Sequence, residues 1–121
     1  MYAGGKSMIR TEQVAGLMGK RVELVCFAQY SAYVHLEGGV ILTVEAGFEH
    51  THEGTSDVHE FSAPVSGSRL MRILENTVTE ARIGTNGDLY LTMSSGDTIR
   101  VYKADGFESY RLKIAGQELI P

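Results

Sequence analysis

An α+β domain, built from two related helix-plus-meander units that share one core, is the fold this sequence predicts. The first observation is an internal repeat: Val14, Leu17, Met18 and Val22 reappear as Leu70, Ile73, Leu74 and Val78, about 56 residues later. One residue further in register, Ala32, Val34, Leu36, Gly39, Leu42 and Val44 reappear as Leu89, Leu91, Met93, Gly96, Ile99 and Val101. The second is that each copy opens on a short helical spacing of apolar residues and continues in strand-like alternation. The third is size. A chain of 121 residues, 43% apolar and 21% charged, holds one domain with a real core, whereas two domains of about 55 residues would each be marginal. The expected organisation is therefore one domain over 1–121, with units at about 11–47 and 66–114 and an acidic, histidine-containing insertion at 48–63.

The first helix is expected from Glu12 to Met18, capped by Thr11 and stopped by Gly19, with Val14, Leu17 and Met18 as its buried stripe. Arg21 to Ala28 reads as a strand, and Gln29 to Ser31 as the bend after it. In the next strand Ala32, Val34 and Leu36 share one face while Tyr33, His35 and Glu37 share the other. Gly38 and Gly39 form a hairpin turn, since glycine accepts positive φ at both central positions cheaply. Val40 to Ala46 completes the meander.

The second unit follows the same plan. Ser66 or Ser68 caps a helix running through Leu74, and Asn76 stops it. Thr77 to Ile83 is a strand, Thr85-Asn86-Gly87 a hairpin turn, and Leu89, Leu91 and Met93 face the core with Ile99 and Val101 across a Ser95-Gly96 turn. Asp105-Gly106 turns the chain into a strand from Phe107 to Ile114, and Gln117 to Pro121 adds a short edge.

The stretch from Phe48 to Ala63 matches neither unit and reads as an irregular insertion, a kind of segment that is often functional. Its His50, His52 and His59, with neighbouring carboxylates, are the ligand types a zinc-like ion would use. Their spacing is that of no recognised motif: Glu53 follows His52 directly, so the helical His-Glu-x-x-His pattern is absent, and no metal or cofactor is expected. Catalysis has less support. No serine lies in a Gly-x-Ser-x-Gly elbow, and Gly84 to Gly87 lacks the lysine and helix of a phosphate loop. The single Cys26, between Val22, Leu24, Val25 and Phe27, is expected to be buried and inert.

Charge is distributed unevenly. Between Val22 and Ser68 lie Glu23, Glu37, Glu45, Glu49, Glu53, Asp57 and Glu60 and all four histidines, but no lysine or arginine; all eleven basic residues lie elsewhere. A phosphate backbone needs a basic stripe, so nucleic acid is excluded as a partner of this half, and a basic protein partner fits better. The expected binding residues are Glu49, Glu53, Asp57 and Glu60, joined by Tyr33 and His35 on the outward face of the first meander; a homodimer is also compatible with exposed tyrosines. No apolar run is long enough to span a bilayer and Met1 to Ser7 lacks a signal-peptide core, so a cytoplasmic protein without membrane contact is expected.

Gly87, Leu89, Leu91, Met93, Gly96, Ile99 and Val101, followed by Phe107, Glu108, Ser109, Tyr110 and Leu112, resemble the carboxy-terminal signature of a bacterial family, domain of unknown function 6188. Asp97 follows its glycine where the signature has the acid before it, Met93 stands for an aromatic residue and Tyr110 for a tryptophan. Gly19 to Val22 and the hairpin through Gly39 and Val44 are similar to the family's first half. The resemblance implies a fold and carries no catalytic residues to transfer. The functional expectation is a non-enzymatic interaction domain, of the kind that includes toxin-neutralising immunity proteins with an acidic face. The alternative is a small-molecule or metal-binding protein or enzyme centred on His50, His52 and His59.

Overall fold

The computed structural model describes residues 9–28, 31–60, 73–103, 109–114 and 116–121. The chain is a mainly antiparallel β protein rather than the expected α+β arrangement. Its strands are β1 (Val22–Ala28), β2 (Ser31–Leu36), β3 (Val40–Val44), β4 (Gly47–His52), β5 (Thr55–Glu60), β6 (Val78–Ile83), β7 (Leu89–Met93), β8 (Thr98–Val101), β9 (Tyr110–Ile114) and β10 (Gln117–Leu119). The expected first helix shrinks to one α-helical turn, α1 (Thr11–Val14), and a 3₁₀ turn over Ala15–Leu17. Gly16 sits where a longer helix would need a better helix former, and Met18 is already extended. Val14 and Leu17 are buried as expected, while Met18 is about half exposed. Arg10, not Thr11, occupies the cap position; the Thr11 hydroxyl instead accepts the Ile83 amide at 2.9 Å, tying the turn to β6. The second helix was expected across residues that lie mostly outside the described ones; at its end Glu75, rather than Asn76, takes the left-handed backbone at φ 68°.

The strands form two five-stranded sheets, ordered β1-β2-β3-β9-β10 and β5-β4-β8-β7-β6. Each is a three-stranded meander from one half of the chain completed by a hairpin from the other half. Val44 pairs with Tyr110 and Leu42 with Leu112 in the first sheet; Val101 pairs with Phe48 and Ile99 with His50 in the second. Their inner faces meet in one apolar core that includes Val22, Val34, Leu42, Phe48, Leu91, Ile99, Tyr110 and Leu112. The space left between the sheets is only about 10 Å³, enough for no ligand.

Corresponding bonds recur in the two halves. Val22 donates its amide to Asn76 and Val78 donates its amide to Lys20; Glu37 donates to Arg21 and Ser94 to Thr77. β1 and β6 also carry a register shift at the same place, between Val22 and Leu24 and between Val78 and Glu80. Such a bulge places two residues opposite one, so both following residues face outward before alternation resumes. It corrects the expectation for Cys26: beyond the bulge Val25 points inward and Cys26 outward, and the thiol is exposed.

Over 48–60 the segment expected to be irregular is the β4–β5 hairpin; its last residues, 61–63, lie outside the described ones. Glu53 (φ 50°) and Gly54 (φ 81°) are its two turn residues, the doubly left-handed geometry that matches strand twist, between paired His52 and Thr55. Gly38 and Gly39 (φ 81° and 78°) form the same kind of turn in the first meander. At the base of the hairpin Gly47 packs against the β5 backbone so closely that a Cβ there would collide with the His59 carbonyl. By register, this hairpin occupies in the second sheet the place that β9–β10 occupies in the first. No helix among the described residues is long and apolar enough to cross a membrane.

Candidate functional site

β4 carries histidine at two inward positions where its counterpart β9 is apolar. In the first sheet the strand after the Gly38-Gly39 turn begins at Val40, and Leu112 and Ile114 lie on β9; in the second sheet the residue after Gly96 is Asp97, and His50 and His52 lie on β4. The acid and the two imidazoles meet. His50 Nε2 is 2.7 Å from Asp97 Oδ2, and His52 Nδ1 is 2.7 Å from Asp97 Oδ1. His50 and Asp97 are both 2% exposed, and the Asp97 amide is held by the Ser95 hydroxyl at 3.2 Å. An ionised carboxylate only accepts, so each imidazole donates one N–H, at separations typical of charge-assisted bonds.

Burial alone would push the Asp97 carboxyl up, but hydrogen bonds from His52, His50 and Ser95 outweigh it and hold it below its ordinary 3.8. Because the folded value is depressed, the stability this contributes is fully present above the unfolded carboxylate range and is lost as pH falls through the folded value. The difference in denaturation midpoint between wild type and Asp97→Asn is therefore expected to shrink as pH falls from about 5 to about 3. Paired urea titrations across that range measure it, and a gap that widens on acidification contradicts it.

The arrangement anchors the β4–β5 hairpin to the start of β8. The imidazole nitrogens facing Asp97 serve a carboxylate, and His59 takes no part: its ring stacks on Phe48 with centroids 5.3 Å apart. Among the described residues no group of three or more His, Cys, Asp and Glu side chains is arranged to hold a metal ion. Sequence reasoning singled out His50 and His52 but missed Asp97, their common partner. The available signal was the repeat itself, which aligns Asp97 with Val40 and so marks an acid at an apolar position.

The four acidic residues expected to bind all lie on this hairpin. Glu53, at the turn, and Glu60 are exposed; Glu49 and Asp57 are half-buried. Val58, between Asp57 and Glu60 in sequence, is 54% exposed. Tyr33 and His35 are not part of that surface. They lie half-buried on the outer face of the other sheet, in rows with Cys26 and Thr43 and with Leu24 and Ile41.

Across the outer face of the second sheet, register aligns Val58, Glu49, Arg100, Tyr90 and Arg82 on five adjacent strands. The Arg82 guanidinium lies 4.0 Å from the Tyr90 ring centroid; that of Arg100 lies 5.5 Å from it and 5.2 Å from that of Tyr102. Arg100 is oriented from below by Asp88, whose carboxylate accepts its Nε–H at 2.7 Å and the Lys103 amide at 2.8 Å. That hydrogen bond strengthens the guanidinium's hold on its proton. A groove of about 320 Å³ runs over this face between Glu49 and Glu80.

Comparison with curated proteins found no match, and comparison with solved structures found none either. The match that does exist spans most of the chain and both sheets: over residues 13–120 the sequence fits the model of DUF6188, and the chain belongs to this family of unknown function.

Proposed function

We propose that this domain is a non-enzymatic protein-interaction module, and that its acidic β4–β5 hairpin receives a basic protein partner. The observation that carries the reading is the gathering of Glu49 and Glu60 on the outer face of one two-stranded element, around the exposed apolar Val58, with Glu53 at its turn and Asp57 on the opposite face beside His50. Charge of one sign steers an oppositely charged partner, and an apolar contact at its centre supplies affinity that the charges alone do not. The hairpin is also held rigidly, because its inner face is fastened to Asp97. Occlusion of a basic toxin, as immunity proteins do, is one use such a surface suits; it is an analogy of surface chemistry. A cytoplasmic setting suits the exposed lone thiol of Cys26, which a reducing compartment keeps free.

The test is charge reversal at the two exposed acids, Glu53→Lys with Glu60→Lys. The double variant is expected to keep its fold and to associate with the captured partner about tenfold more slowly at low salt, the difference fading as salt screens the charges. Capture from native extract by wild type and variant, followed by binding kinetics on the captured protein, measures this. Equal capture of the same proteins at low salt would sink the reading.

A further inference from the structure

We propose that Arg82, Tyr90 and Arg100 form a clamp for a carboxylate of the protein partner, an acidic side chain flanked in that partner by basic ones. The proposal rests on the interaction reading and adds what the partner must present beside its positive charge. Two guanidinium groups approach one half-buried tyrosine ring, and Arg100 is held in place by the buried carboxylate of Asp88. Asp88 in turn is fixed by the Lys103 amide and by Asn86. A guanidinium has five N–H donors in a planar fork that matches a carboxylate, and Asp88 uses the Nε–H of Arg100, leaving the outer edge of the fork for a ligand. An arginine preset in this way loses less freedom on binding than one free to swing.

The first sheet acts as an internal reference. Its equivalent row reads Cys26, Tyr33, Thr43 and Arg111: the tyrosine is kept, but neither strand beside it carries a cation. The fold therefore asks for the aromatic residue at this place and not for the two arginines around it. Glu49 and Glu80 stand at the ends of the groove and narrow the choice of ligand. They repel a continuous polyanion, whereas a single carboxylate with a base on either side meets opposite charge at all three places. Thr92 and Thr98, also lining the groove, offer hydroxyls to the same ligand.

The probe is a blocked peptide, acetyl-Lys-Ala-Glu-Ala-Lys-amide, titrated into the full chain and followed by NMR at the Tyr90 ring and the Arg82 and Arg100 Nε–H signals. Its alternation places the three charged side chains on one face of an extended backbone. Saturable shifts are expected, with at least fivefold weaker binding when Glu is replaced by Gln in the peptide and likewise in Arg82→Gln. Arg111→Gln, on the other sheet, should bind as wild type does. Equal binding of the Gln peptide, or an unchanged affinity in Arg82→Gln, would overturn the clamp. So would inorganic phosphate alone shifting the same signals at equal concentration, which would mark a small-anion site. The Glu-against-Gln comparison is insensitive to the acidic hairpin, which meets the same lysines in both peptides, so the clamp and the hairpin reading fail separately.

Discussion

Asp97→Ala is expected to destabilise the domain by about 3–5 kcal/mol, the range found when one partner of a buried charged pair is removed. The methyl group leaves two imidazole N–H groups without their acceptor, and His50, 2% exposed, cannot turn to water for another. The hairpin that both histidines fasten would loosen from β8 first. A companion variant separates the loss of a network from the loss of a residue. Replacing the whole cluster by its counterparts in the first sheet, His50→Leu, His52→Ile and Asp97→Val, removes every orphaned donor and fills the space with side chains this fold already accommodates at Leu112, Ile114 and Val40. Well-packed apolar residues in place of a buried ionic group are often neutral or stabilising. The triple variant is therefore expected to unfold near or above the wild-type urea midpoint while Asp97→Ala unfolds far below it. A triple variant as weak as the single one would show that the polar cluster itself is required by the fold.

Phe48→Ala is the other large effect, at about 3–5 kcal/mol for a fully buried aromatic side chain. Phe48 is 0% exposed, pairs across the sheet with Val101, and stacks on His59, so its ring holds the base of the β4–β5 hairpin to both β8 and β5. Truncation opens a cavity between elements that belong to different halves of the chain. The loss should appear in the denaturation midpoint and in amide exchange, which is expected to accelerate across β4 and β5 more than across β1–β3. Unchanged exchange in β4 would refute the placement of this ring.

The elements most legible in the sequence were those whose pattern is apolar and local. Leu89, Leu91, Ile99 and Val101 alternate without interruption and are buried, and the turns at Gly38-Gly39, Asn86-Gly87 and Ser95-Gly96 stand where glycine placed them. The β4–β5 hairpin was missed because its inward positions, after Phe48, are His50 and His52, which disguise a period of two as a polar stretch. Its Glu53-Gly54 turn then looked like loop composition. The first helix was overestimated because Val14, Leu17 and Met18 fit a helical stripe, although a chain so short with Gly16 inside it holds little more than one turn of α-helix. Sheet order was beyond reach: a local meander accounts for β1, β2 and β3, and nothing local announces that β9 arrives beside β3. The same distance hid the site, since Asp97 meets its histidines only after β8 has docked on β4.

The exchange of hairpins has a consequence for how this chain acquires its structure. As the polypeptide leaves the ribosome, β1, β2 and β3 can pair early, but the open side of β3 waits for β9, and β4–β5 has no sheet to join until β8 has been made. Contacts this distant in sequence must overcome loop-closure entropy before they contribute anything, which places the domain among slow folders, in the millisecond-to-second range, rather than among those that form from local contacts. Until β8 emerges the hairpin carrying Phe48 lacks its sheet, and until β9 emerges the pairing edge of β3 is exposed to other nascent chains. The cell thus meets this protein with its first sheet unfinished, and the exposed edge of β3 is covered only once residues 110–114 have left the ribosome.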